Sequence, residues 1–218
     1  PLANATGSVE ITVTANDNGA SGSGGLQRDI DTIAITITPV NDNPTGTVTL
    51  SGDAVEGSVL TISHTLADAD GLGVFWYQWY TKETGILIAG ASGPSYTLTQ
   101  ADVGHQIVGV VRFTDGFGQQ ESNDSLPTAA VQNFNDAPTG SVTISGSAIE
   151  GQVLSASNTL ADEDGLGPIG YQWLRNGTAI AGATGSTYTL VQADVGRQIA
   201  VLASYIDGQG TTESVTSG

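Results

Sequence analysis

Cysteine and methionine are both absent from the 218 residues. Without thiols, neither a disulfide framework nor a thiolate metal site is available. A small extracellular domain would then need another staple, and metal is the usual one. Basic residues are scarce as well: Arg28, Lys82, Arg112, Arg175 and Arg197 stand against 22 acidic residues, for a net charge of -17. Five scattered cations make no phosphate-neutralising stripe, which argues against nucleic acid as a partner. An anionic membrane surface is disfavoured for the same reason. No apolar run approaches the ~20 residues of a membrane-spanning helix, so no membrane insertion is expected. No signal-peptide pattern is visible, and no useful window carries helical periodicity. The chain opens on Pro1 rather than Met, as a fragment or processed product would.

What the sequence does contain is a duplication. Leu66-Ala67-Asp68-Ala69-Asp70-Gly71-Leu72-Gly73 precedes Tyr77-Gln78-Trp79, and Leu160-Ala161-Asp162-Glu163-Asp164-Gly165-Leu166-Gly167 precedes Tyr171-Gln172-Trp173. Around these units, Asn41-Asp42-Asn43-Pro44 matches Asn135-Asp136-Ala137-Pro138, and Val55-Glu56-Gly57 matches Ile149-Glu150-Gly151. Gln100-Ala101-Asp102-Val103-Gly104 matches Gln192-Ala193-Asp194-Val195-Gly196, and Asp115-Gly116 matches Asp207-Gly208. So many matches in order indicate two tandem copies of one module.

Period-two alternation of β-branched residues marks strands. Residues 8–14 and 32–38 read as the last two strands of a preceding domain, with a flexible Asn16–Gly25 loop between them. Residues 44–137 read as one complete repeat, with strands expected near 46–51, 58–65, 74–81, 86–89, 95–99, 106–114 and 121–132. Residues 138–218 read as a second repeat without its last strand, and Asn176-Gly177 signals a two-residue hairpin turn. About seven short strands per repeat, with a Trp on the third, predict an all-β chain of tandem immunoglobulin-like β-sandwiches in an extended array. The open ends fit a piece of a longer repeat array. The alternative is head-to-tail assembly, in which residues 1–43 complete the last domain of another copy.

The Asn-Asp-x-Pro linkers, the Leu-Ala-Asp-x-Asp-Gly-Leu-Gly units with their Tyr-Gln-Trp strands, and the Gln-Ala-Asp-Val-Gly motifs resemble the Ig-like repeats of large bacterial RTX-type surface adhesins. Residues 1–43 resemble the end of a cadherin-like repeat from the same proteins. The resemblance covers essentially the whole chain and implies a secreted, calcium-loaded, cell-surface array of the kind that spaces an adhesive tip in cell adhesion and biofilm. The nonapeptide repeats that give RTX proteins their name are absent.

Antiparallel connectivity decides which acidic turns share an end of a sandwich. One set brings Glu56, Asn135 and Asp136 to Asp162, Asp164 and Asp207. The other brings Asn41, Asp42 and Asn43 to Asp68, Asp70 and Asp115. Oxygen donors at that density suit Ca2+, which takes six to eight of them, and the arrangement resembles cadherin junctions. Asp, Asn and Gly are also ordinary turn residues. Asp102 and Asp194 accordingly read as structural caps of a corner rather than ligands.

No enzyme is expected. His64 and His105 have no second His at ligand spacing, no serine has a base partner, and the paired carboxylates lie in turns rather than across a cleft. The expected function is a calcium-stiffened structural extender whose partners are neighbouring repeats or other copies head-to-tail. The alternative is an adhesive module in which Trp76 and Tyr80, on the face opposite Tyr77 and Trp79, stack on a surface glycan or protein.

Overall fold

A computed structural model describes residues 7–16, 28–38 and 40–218, and fifteen strands with two single-turn 3₁₀ segments make up their regular structure. The chain is all-β, as the alternation predicts, and its small antiparallel sheets are consistent with β-sandwich architecture. Among the described residues, no helix is long and apolar enough to cross a membrane.

Strands β1 (Gly7–Asn16) and β2 (Arg28–Ile37) form a ten-residue antiparallel hairpin in register from Gly7↔Ile37 to Asn16↔Arg28. Val9, Ile11, Val13, Ile33 and Ile35 share one face of it, each about half exposed. From Asp17 onward, the loop expected between these strands lies outside the described residues.

Two compact units divide the chain. The first comprises residues up to Gly52, Val59–Tyr96 and Gln106–Ala129. The second comprises Asp53–Ser58, Thr97–His105 and Ala130–Gly218.

In the first unit, β3 (Val48–Ser51), β4 (Val59–His64) and β6 (Ser95–Thr97) form one sheet. The sheet of β5 (Trp76–Thr81), β7 (Ile107–Thr114) and β8 (Gln120–Asp124) faces it. The sheets press closest at Gly109, where an added Cβ would stand 2.8 Å from the Ile62 side chain and 2.9 Å from Leu50. Leu60, Trp79, Ile107, Val111 and Phe113 are fully buried there.

The second unit repeats the plan. Here β9 (Val142–Ser145), β10 (Val153–Asn158) and β13 (Thr187–Thr189) form one sheet. The other contains β11 (Gly170–Arg175), β12 (Thr178–Ala179), β14 (Ile199–Ile206) and β15 (Thr212–Thr216). Both contribute to a core centred on Trp173, with Val142, Leu154, Leu190, Val201 and Ala203 around it.

Asn176 and Gly177 turn the β11–β12 hairpin with φ of 49° and 79°, the paired positive values of a type I′ turn. The matching segment of the first repeat has no such dipeptide. It makes one isolated bridge, Tyr80↔Leu87, where a strand over 86–89 is expected. The expected strand over 121–132 divides. Strand β8 stops at Asp124, and Val131 and Gln132 instead make parallel bridges to Val103 and Val55. Pro127 accounts for the break, because it has no N–H to continue an antiparallel ladder.

The repeated Gly-Leu-Gly has two separate causes. Gly71 and Gly165 adopt φ of +101° and +100°, a region that favours glycine. At Gly73 and Gly167 the constraint is contact: an added Cβ would lie 2.1 Å from the Thr114 carbonyl oxygen or 2.0 Å from that of Ile206. These obstacles are backbone, so no side-chain rotation relieves them. Gly167→Ala is expected to cost about 1–3 kcal/mol, the range for overpacking a tight site. Leu166→Ala, at a position 43% exposed, should cost less. Urea midpoints of the two variants measure the difference, and equal losses would show that the close approach does not constrain the turn.

Candidate metal centre

The second unit brings three carboxylates together. Glu56 lies in the tight turn before β4, closed by the Ser58 N–H donating to the Val55 carbonyl. Asp136 lies in the segment before Pro138 and is fixed when its N–H donates to Asp164 Oδ2 at 2.7 Å. Glu163 lies in the Asp-x-Asp-Gly turn, where the Asp164 N–H donates to Asp162 Oδ1 at 2.9 Å. One carboxylate oxygen from each of Glu56, Asp136 and Glu163 falls within 4.8 Å of the other two. They open on a hollow of about 260 Å³, also lined by Gly57, Thr99, Gln100 and Phe134.

The electrostatics of this cluster are unfavourable as it stands. Burial pushes the Glu56 carboxyl above the usual carboxylate range, against a hydrogen bond from the Phe134 N–H. The nearby negative charges of Asp136, Asp164 and Glu163 push it further the same way. With its amide turned to satisfy its neighbours, Gln100 donates to both Glu56 oxygens, at 2.7 and 3.0 Å. Three carboxylates held by separate backbone segments, with only neutral donors named beside them, leave negative charge that a cation would offset.

The other expected ligands are placed differently. Asn135 donates through Nδ2 to Glu213 Oε1 at 2.8 Å, so its side chain is turned to β15. Asp162 Oδ2 accepts from the Tyr205 hydroxyl at 2.5 Å. Burial, and then that carboxylate, push the Tyr205 phenol well up, which keeps it a donor. Asp164 is 3% exposed, with its Oδ2 taken by the Asp136 N–H. Asp207, 6% exposed, caps its own turn: Oδ1 accepts from the Gln209 and Thr211 N–H groups, while Oδ2 is buried without a protein partner.

In the first unit, the Asp42 N–H donates to Asp70 Oδ2 at 2.6 Å, and Asn41 Nδ2 donates to Glu121 Oε1 at 2.9 Å. Asp115 Oδ1 accepts from the Phe117 and Gln119 N–H groups, each at 2.8 Å. The Gly116 N–H donates to the Asp70 carbonyl at 3.0 Å, stitching the two acidic turns together. Three buried oxygens then have no protein partner: Asp68 Oδ2, Asp70 Oδ1 and Asp115 Oδ2. Phe113 stands where the second repeat has Tyr205, so Asp68 lacks the phenol that satisfies Asp162. Asn43 is exposed.

No family model matches the sequence, and no curated protein matches it either.

The pattern-based ligand set omits Glu163, Glu121 and Glu213. Glu163 sits between the two Asp residues of its turn, where the first repeat has Ala69, so comparing the copies hides it. Glu121 and Glu213 do occupy matching positions, opposite matching linker asparagines, and that coincidence was a usable signal. The aromatic pair is also placed. Trp76 lines a hollow of about 360 Å³ with Leu87 to Ser92, while the Tyr80 hydroxyl donates to Asp124 Oδ2 at 2.9 Å. Both rings are half-buried.

Proposed function

We propose that this chain is a calcium-stiffened extender segment of a secreted bacterial cell-surface adhesin, built from tandem immunoglobulin-like and cadherin-like modules. The observation that carries the reading is the convergence of Glu56, Asp136 and Glu163 within 4.8 Å. The donor set is oxygen only, which suits a hard cation such as Ca2+ rather than zinc or copper. The unpartnered oxygens of Asp68, Asp70 and Asp115 support a second set of the same chemistry. The duplicated linker and turn motifs, and their likeness to repeats of bacterial surface adhesins, support the extracellular setting. In this reading, Ca2+ relieves repulsion among the carboxylates and couples linker rigidity to metal binding.

Thermal unfolding in calcium and in chelator tests the proposal. At calcium a hundredfold above the Kd, a single site stabilises by about 2.7 kcal/mol, enough to move the melting temperature by several degrees. Glu56→Gln combined with Glu163→Gln should remove this site's share of that rise and leave the share of the Asp68, Asp70 and Asp115 set. Small-angle scattering of the same samples should report a longer, stiffer particle with calcium. If calcium moves neither the melting temperature nor the scattering, and titration calorimetry gives no heat, the carboxylates are turn residues alone.

A further inference from the structure

The acidic turns of the two repeats are built on one backbone scaffold. In the first, the Asp70 N–H donates to Asp68 Oδ1 at 2.8 Å, and the Asp42 N–H donates to Asp70 Oδ2 at 2.6 Å. In the second, the Asp164 N–H donates to Asp162 Oδ1 at 2.9 Å, and the Asp136 N–H donates to Asp164 Oδ2 at 2.7 Å. Asp115 and Asp207 each cap their own turn through Oδ1, which accepts from two N–H groups. The stitching between turns is also shared. The Gly116 N–H donates to the Asp70 carbonyl at 3.0 Å, and the Gly208 N–H donates to the Asp164 carbonyl at 2.9 Å. In both copies, backbone therefore takes one oxygen of each aspartate and leaves the other over.

The fate of the remaining oxygens differs. In the first repeat, Asp68 Oδ2, Asp70 Oδ1 and Asp115 Oδ2 are all buried without a protein partner, and Asp115 as a residue is 6% exposed. Of the matching atoms in the second repeat, Asp207 Oδ2 alone is left in that state. Asp162 Oδ2 instead accepts from the Tyr205 hydroxyl at 2.5 Å. Tyr205 on β14 and Phe113 on β7 hold the same place in their sheets, opposite Glu213 and Glu121, and both are buried. The other difference at these turns, Glu163 for Ala69, belongs to the cluster with Glu56 and Asp136. A buried carboxylate oxygen without a donor is costly, and each such group calls for a partner. A phenol supplies one hydrogen bond and no charge. A divalent cation answers several oxygens at once and offsets their charge as well.

We propose that the residue at this one strand position decides which Asp-x-Asp turn takes a divalent cation. Phe113 leaves the first repeat's turn open to Ca2+, held by the oxygens of Asp68, Asp70 and Asp115 that no N–H occupies. In the second repeat the Tyr205 phenol takes the place of the ion on Asp162. The inference rests on the calcium reading of the acidic turns and adds that the two repeats load unequally. Chelation then leaves the first turn with three unpaired buried oxygens, while the second keeps its hydrogen bond.

Titration calorimetry with CaCl2 on the intact protein carrying Glu56→Gln and Glu163→Gln, which disables the other carboxylate cluster, tests this. One site is expected in that background. Adding Phe113→Tyr should weaken its calcium binding at least about tenfold, and should raise the melting temperature in chelator, because Asp68 gains a donor. Tyr205→Phe in the same background deletes one oxygen from an otherwise unchanged ring. It should add a second site and lower the melting temperature in chelator. If Phe113→Tyr does not fold, the stoichiometry of Tyr205→Phe decides the matter. Unchanged calcium affinity in folded Phe113→Tyr, or unchanged stoichiometry in Tyr205→Phe, would overturn the proposal. So would a background that binds no calcium while the unsubstituted protein does; that result assigns the first turn's oxygens to water and leaves the site at Glu56, Asp136 and Glu163 standing. An unsubstituted protein that binds no calcium overturns both readings together.

Discussion

Trp173→Ala is expected to destabilise the second unit by about 3–5 kcal/mol, the cost of deleting a large buried aromatic. Trp173 is fully buried, its ring stacks 5.6 Å from that of Tyr188 at 30°, and its Nε1 donates to the Gly185 carbonyl at 2.9 Å. The surrounding side chains come from both sheets: Val142 and Leu154 from one, Val201 and Ala203 from the other. A cavity at that point therefore separates the two layers, and neither sheet can collapse without losing its antiparallel register. The indole deletion decides the size of the effect, because Gly185 is an exposed residue whose carbonyl has water within reach as a replacement donor. Trp173→Phe, which keeps most of the volume and loses the N–H, should accordingly cost less than half as much. Urea unfolding followed by circular dichroism is the suitable readout, since the substitution also removes a fluorophore. A loss for Trp173→Ala below about 1 kcal/mol, the size of a surface substitution, would mean that the indole is not the centre of this core.

The tryptophans illustrate what local pattern can reveal. Trp79 and Trp173 each follow a Gly-rich turn, alternate with half-buried neighbours and occupy the third strand of a repeat, so their burial was readable from periodicity alone. The Asn176-Gly177 turn was equally legible, because both residues must take positive φ and few dipeptides do so cheaply. Pattern failed where partners are distant in sequence. Nothing near Pro127 announces that Val131 and Gln132 leave the antiparallel ladder for parallel bridges to Val103 and Val55. The site divides in the same way. Glu56 and Asp136 stand out as duplicated acidic positions, whereas Glu163 joins them from a position where the other copy has an alanine. Duplication exposes what two modules share and conceals what distinguishes them.

Asp194→Ala is expected to cost about 3 kcal/mol, the scale of hydrogen bonds to a buried charged group. Both oxygens of this carboxylate are engaged. Oδ1 accepts from Arg175 Nε at 2.6 Å, and Oδ2 accepts from the Tyr188 hydroxyl and the Val191 N–H, each at 2.8 Å. Its side chain is 3% exposed, so removing it leaves the phenol and the backbone N–H without their acceptor. Burial pushes the Asp194 carboxyl up, but the Val191, Arg175 and Tyr188 donors outweigh it and hold the group below the usual carboxylate range. The sign of the pH dependence follows. A depressed folded value means the contribution is complete above the unfolded aspartate pKa of about 3.9 and is lost as pH falls through the lower folded value. Tyr188 behaves oppositely: burial, and then Asp194, raise its phenol, so its contribution persists below the unfolded tyrosine value and fades as pH rises through the folded one. Asp194→Asn should therefore flatten the acid limb of stability against pH while leaving a packed corner. The matching position to Arg175 in the first repeat is Thr81; there Asp102 Oδ2 keeps the same backbone cap, from the Thr99 N–H at 2.8 Å, and also accepts from the Thr99 hydroxyl at 3.0 Å. One corner thus places an arginine on its buried aspartate where the other has a threonine in the matching strand. If Asp194→Asn leaves the acid limb unchanged, Asp194 carries no charge-dependent stability and the corner is held by packing alone.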